Sequence, residues 1–283
     1  MLLSNRKWLR QLVAVLETGN LLMLRLLLRN RQCVSMYPGR IFREYMSLVQ
    51  HDQWSCKSIF DVIAPHQETK VTIQHIRNSV IETPLEQLAC LAIVARAFEP
   101  HTIFEIGTFT GRTALNFAIN SPKDCRVYTM DLPGEERSEA RRSTSRADSE
   151  IISNSETGRD YVDTEFEDKI EQIYADSQAF DFSPFESKVD LVYIDGAHHW
   201  EAVCSDTRAA LRMLRPGGHI LWDEFGMYGD YNDVTRAVRD CVGLENVTQI
   251  ENTQLAIYQK SRGLLLEHEE DDKSLRASEA LSR

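Results

Sequence analysis

Between residues 83 and 260 the chain alternates between helical spacing of apolar residues and short, unbroken β-rich runs. Thr83-Pro84-Leu85-Glu86 joins a capping hydroxyl, a proline at the first helical position and a capping-box glutamate. It predicts a helix to about Phe98, closed by Pro100. Strands are predicted at Thr102–Ile106, Arg126–Asp131, Ile170–Ala175, Asp190–Asp195 and His219–Asp223, with helices near Arg112–Ile119 and Trp200–Leu214. That rhythm predicts an α/β fold, a mainly parallel sheet with crossover helices. After a helix near Asp233–Cys241, the runs Val247–Ile250 and Gln254–Gln259 are close enough for an antiparallel hairpin at the sheet edge.

The flanks read differently. Residues 4–31 predict two short helices, one capped by Ser4 and ended by Gly19, the other capped by Asn20. Residues 32–80 show no clear period. The expected division is a helical N-terminal extension over 1–80, one domain over 81–262 and a charged, disordered tail over 263–283. Within the domain, 134–160 reads as a flexible insertion rich in Glu, Arg and Ser.

Composition narrows the classes. The net charge of −11 argues against broad nucleic-acid binding, which needs a basic surface. The charge is uneven, because residues 1–50 hold eight Arg and Lys against Glu17 and Glu44. A basic helix pair of this kind either packs on its own acidic body or a second subunit, as in a homo-oligomer, or makes peripheral membrane contact; packing is the commoner outcome. The Leu-rich stretch 21–28 is too short to span a bilayer, which takes about 20 apolar residues. The six cysteines lie far apart with no CxxC pair, which fits reduced thiols and a cytoplasmic address.

The chemistry gathers at predicted strand ends. Glu105-Ile106-Gly107-Thr108-Phe109-Thr110-Gly111 spans a strand-to-helix junction. Gly107 lets the backbone turn and approach a ligand, and Gly111 lets the helix start tight against the sheet. A dinucleotide site would prefer GxGxxG, whose second glycine admits a pyrophosphate; Phe109 stands there instead. Glu105 can serve a cationic or amino group, directly or through water. Asp131, ending the next strand, can accept hydrogen bonds from two ribose hydroxyls. Further strands end in Asp176-Ser177, in Asp195-Gly196-Ala197-His198-His199 and, after Arg215-Pro216-Gly217-Gly218, in Trp222-Asp223-Glu224. Singly, each has a structural explanation as a helix cap or turn; five in register at the carboxyl ends of a parallel sheet mark a site.

Together these segments resemble the class I S-adenosylmethionine-dependent methyltransferases, most closely the small O-methyltransferase-like subfamily with an Asp-Gly-x-His signature. The resemblance covers about 83–260. It implies the Rossmann-like methyltransferase fold, with a mainly parallel seven-stranded sheet and an antiparallel edge hairpin, to which the helical N-terminal extension read above is added. It implies that Gly107, Thr108 and Gly111 form the cofactor loop, that Asp131 holds the ribose, and that Asp176 and Ser177 sit beside the adenine. The acceptor is expected to be a small hydroxylated metabolite.

Methyl transfer from a sulfonium is a direct displacement, so the protein must align the acceptor and remove its proton. Two arrangements suit the sequence. Asp195, Asp223 and Glu224 form an oxygen-rich set for Mg²⁺, although many relatives read His-Asp where Asp223-Glu224 stands. Alternatively, His198 beside Asp195 acts as the base. Tyr228, Tyr231 and Trp222 are candidates to line an apolar pocket. A nucleotide-binding oxidoreductase shares the fold but not the glycine spacing. A noncatalytic or partner-dependent domain that binds S-adenosylmethionine is the other alternative.

Overall fold

A computed structural model describes residues 54–66, 68–77, 82–132, 157–226 and 232–261. The helices expected over 4–31, most of the 134–160 insertion, Tyr228, Tyr231, Cys33 and the tail lie outside the described residues. The chain runs β1 (Ser55–Lys57), α1 (Ile59–Val62), α2 (Leu85–Phe98), β2 (Thr102–Ile106), α3 (Arg112–Asn120), β3 (Arg126–Asp131), β4 (Ile170–Tyr174), β5 (Val189–Ile194), α4 (Trp200–Met213), β6 (Leu214–Trp222), α5 (Asn232–Val242), β7 (Thr248–Ile250) and β8 (Ala256–Gln259).

One sheet of eight strands is ordered β1-β7-β8-β6-β5-β2-β3-β4. All neighbours pair in parallel except β6–β8 and β7–β8. The expected antiparallel hairpin is present, but it is not the edge. β1 covers β7, an eighth strand where the sequence predicts seven. Its three residues are too few to carry a period; Trp54 anchors it, donating to Gln249 Oε1 at 2.9 Å and packing edge-on to Phe225.

The β2 and β5 side chains are nearly all buried, and the sheet separates two cores. Phe104, Ile106, Val192 and Trp222 pack on one face with Val203, Met213 and Val238 from α4 and α5. Ile103, Leu191 and Tyr193 pack on the other with Leu91 and Val94 of α2 and Leu115 of α3. Trp222 therefore belongs to the core and donates to Thr207 Oγ1, so it lines no pocket. β5 and β6 are adjacent yet parallel, with α4 as their crossover. Arg215–Gly218, expected as a turn before the strand, is a bulge inside β6: Leu214 pairs with Val189, and pairing resumes at His219 with Leu191.

Helix α2 starts one residue later than the capping motif suggests. Pro84, in extended geometry, is the cap and its carbonyl accepts from Leu88 N–H; Thr83 makes no side-chain cap. The extended geometry that a proline favours in the residue before it would suit a cap, but the Thr83 carbonyl, which would accept the first helical bond, is drawn instead to Arg112.

An extended run crosses α3 as a strap. Asn120 accepts from Thr72 N–H and donates to the Thr72 carbonyl, while Asn116 does the same for Gln74, all at 2.8–3.2 Å. Two residues of extended chain advance about 6.6 Å and four residues of helix about 6 Å, so the two amides match the strap's repeat. Asn120→Ala removes both bonds to Thr72 and is expected to cost about 1–3 kcal/mol in chemical denaturation. No loss of stability would show that the strap is not held this way.

Candidate active site

The crevice forms where the chain direction reverses, between β2, which leads outward to β3 and β4, and β5, which leads the other way to β6. Open parallel sheets bind ligands outside the carboxyl ends at this switch point. Here the two strand ends touch: Asp195 N–H donates to the Ile106 carbonyl at 2.8 Å, and Gly107 N–H donates to the Met130 carbonyl at 2.9 Å. Gly107 has φ +106°, and a Cβ on it would overlap the Asp195 carbonyl. Only glycine satisfies both requirements.

Asp131 fixes the far side of the loop. Its two oxygens accept from Phe109 N–H at 2.9 Å and Leu132 N–H at 2.8 Å. The side chain is half-buried at the end of β3, beside the glycine loop. At the end of β4, Asp176 Oδ1 accepts from Gln178 N–H, and Ala175 N–H donates to the Asp131 carbonyl, so the β3 and β4 ends are joined. Buried Asp206 of α4 lies close by: its Oδ2 is 3.7 Å from where a Gly196 Cβ would be. Burial pushes the Asp206 carboxyl up to about 7, the Ser177 hydroxyl opposing and Asp176 adding.

Two expectations change. Glu105 faces no ligand: it is fully buried on the face of α2 and α3, in register with Thr129, whose hydroxyl donates to Glu105 Oε2 at 2.5 Å. Burial raises its proton affinity well above the usual carboxylate range, Thr129 opposing. Glu105 ends a chain of polar groups in which Tyr161 OH meets Gln172 Oε1, Gln172 Nε2 meets Thr108 Oγ1, and Thr108 meets Thr129. Gly111, which caps α3, also has a neighbour that the sequence did not foretell. At φ +81° it lies under the Tyr161 ring, where a Cβ would come within 2.5 Å of the ring. The residues ending the expected 134–160 insertion thus pack on the loop.

On the other side of Gly107, Asp195 Oδ2 accepts from the buried Tyr193 hydroxyl at 3.1 Å. His198 Nε2 is 3.8 Å from Asp195 Oδ1 and 3.4 Å from Glu224 Oε2. Burial disfavours a charged ring, but the bond with Asp195 and the charges of Glu224, Asp195 and Asp223 outweigh it and push His198 up to about 9. Neighbouring His199 is the start of α4. Glu224 sits at φ +56°, a backbone geometry uncommon for a residue with a side chain.

The metal set does not fit. Asp223 Oδ1 accepts from Gln87 Nε2 at 2.6 Å, and Gln87 Oε1 accepts from Gln254 N–H at 2.8 Å. Burial, with Asp195 and Glu224 near, raises the proton affinity of Asp223 well above the usual carboxylate range. Among the described residues no group of three or more His, Cys, Asp and Glu is placed to hold a metal ion. Gln87 was not anticipated. Its signal was a polar residue beside Leu88 and Leu91 on the inward face of a predicted helix.

Asp206 makes stability depend on pH. Its folded-state proton affinity exceeds the unfolded one, so stability is full in acid and falls as pH rises from about 4 to 7. Asp206→Asn should be more stable than wild type at pH 8 and should lose that advantage near pH 4, by melting curves across pH. An equal effect at both pH values would contradict this.

Residues 104–225 match the family model described as a methyltransferase domain. The match takes in the glycine loop, Asp131, Asp195 and Asp223, but neither the strap nor the last two strands. No curated protein matches the chain in sequence. Among solved structures, it is similar to the O-methyltransferase TomG from Streptomyces achromogenes, involved in tomaymycin synthesis and in complex with SAM. That similarity has 16% identity, 80% of this chain, 100% of that one and a TM-score of 0.45. An O-methyltransferase from Bacillus cereus in complex with SAH gives 15%, 76%, 97% and 0.44. A methyltransferase from Geobacter sulfurreducens gives 14%, 64%, 81% and 0.43. The strand order is that of a Rossmann-like α/β sheet, and the matched segment spans its central strands.

Proposed function

We propose that the protein is an S-adenosylmethionine-dependent methyltransferase acting on an oxygen of a small hydroxylated metabolite. One observation carries the reading. The Gly107–Asp195 contact puts a glycine loop, with Asp131 at its side, against an Asp-His pair in a single switch-point crevice. The first half suits a nucleoside-bearing cofactor without a pyrophosphate; the second suits proton removal.

The residues fit the cofactor. Asp131 places a carboxylate, an acceptor suited to ribose hydroxyls, beside the glycine loop, and Asp176 and Ser177 stand at the adjoining strand end for the adenine. When bound, S-adenosylmethionine supplies an electrophilic methyl group. What remains for the chain is to orient the acceptor hydroxyl and take its proton. His198 does this in its neutral form, with Asp195 and Glu224 stabilising the imidazolium produced. Tyr193 fixes Asp195, so the ring keeps one orientation. Magnesium, which the resemblance brings with it, has no fitting ligand set among the described residues, and no step uses it.

Asp131→Ala should weaken S-adenosylmethionine binding at least tenfold by calorimetry. Asp195→Ala should leave that affinity within a few fold and lower turnover about 10²-fold or more. Unchanged affinity in Asp131→Ala would remove the ribose assignment. Because the base must be neutral, the turnover rate should rise about tenfold per pH unit up to about pH 9 and then level. A rate flat from pH 7 to 9, or a limb that persists in His198→Gln, would exclude His198 as the base.

A further inference from the structure

Two of the three residues between the loop glycines, Phe109 and Thr110, are gripped from outside the sheet. Gly158 N–H donates to the Phe109 carbonyl at 3.1 Å and Asp160 N–H to the Thr110 carbonyl at 2.9 Å. Tyr161 fills the space between Gly111 and Gly158 and reaches Thr108 through Gln172. The Arg77 guanidinium closes the arrangement. It donates to Thr110 Oγ1 at 3.1 Å, forks onto Glu82 at 2.6–3.0 Å, and bridges to Asp160. Asp160 and Glu82 are almost wholly buried, and Arg112, at the start of α3, meets Glu82 from the other side at 3.5 Å.

We propose that Arg77 and Asp160 are positioning residues for the cofactor loop, locking Thr110 so that the loop is preformed before its ligand arrives. The inference rests on the cofactor reading above. Arg77 ends the strap that Asn116 and Asn120 hold, so its backbone is anchored before its side chain is used. A planar fork with five donors serves Thr110, Glu82 and Asp160 at once; an ammonium cannot match that geometry. Burial alone would raise the Asp160 carboxyl, but the bonds from Arg77 and Thr110 and the nearby charges of Arg77 and His75 hold it below the usual carboxylate range. It therefore stays ionised opposite Arg77. A loop fixed in this way spends less of its binding energy on ordering.

The test is calorimetric titration of the full chain with S-adenosylhomocysteine. Arg77→Met should raise Kd at least tenfold and Arg77→Lys should recover part of the loss. Thr110→Val, which keeps side-chain shape and removes one contact of the lock, should raise Kd severalfold. Adding Thr110→Val to Arg77→Met should cost little more, because both break one lock. Faster amide exchange at Gly158 and Asp160 in these variants, before any ligand is added, is the accompanying sign. If Arg77→Met does not fold, Thr110→Val and Arg77→Lys carry the test. Wild type that binds, with every folded variant within twofold of it, overturns this inference alone. Wild type that does not bind removes the cofactor reading as well.

Discussion

The structure turns on one place where a side chain cannot be tolerated. Gly107 leaves β2 at φ +106° with its α-carbon against the Asp195 carbonyl. That contact closes β2 onto β5 at the reversal of strand order, and both halves of the site follow from it. On one side the chain enters the loop that Asp131 fixes; on the other, Asp195 presents its carboxylate to His198. A methyl group on residue 107 would push these strand ends apart and separate the cofactor side from the proton-accepting side.

The charges of the crevice obey the same economy of space. Asp195, Asp223 and Glu224 lie close together with little solvent, and the fold relieves their repulsion in two ways. Burial and its neighbours raise the proton affinity of Asp223 beside Gln87, and the carboxylates raise that of His198 among them. His198 thus lies against carboxylates that the resemblance alone assigned to a metal.

Much of the sheet was legible in the sequence because its strands are short, apolar and bounded by turn residues. Thr102–Ile106 and Arg126–Asp131 match the prediction at both ends. What stayed hidden has definite causes. Ser55–Lys57 is too short to show a period and depends on Trp54 reaching Gln249. The capping reading at Thr83 failed because the Thr83 carbonyl is taken by Arg112, a partner far along the chain. Glu105 reads as a ligand group by position, but Thr129 opposite it is what decides its surroundings. Arg77, Asp160 and Gln87 act through contacts made across the fold, for which local pattern carries no mark. The strand-end residues Asp131, Asp195 and His198 were visible because in a parallel sheet the site's location follows from topology alone.

The central claim is that this crevice takes a sulfonium nucleoside and not a dinucleotide. Parallel calorimetric titrations of the wild-type chain with S-adenosylmethionine and with NAD address it most directly. Saturable binding of S-adenosylmethionine at one site per chain is expected, with no measurable heat from NAD. Binding of NAD in its place would contradict it, as would the absence of binding by S-adenosylmethionine.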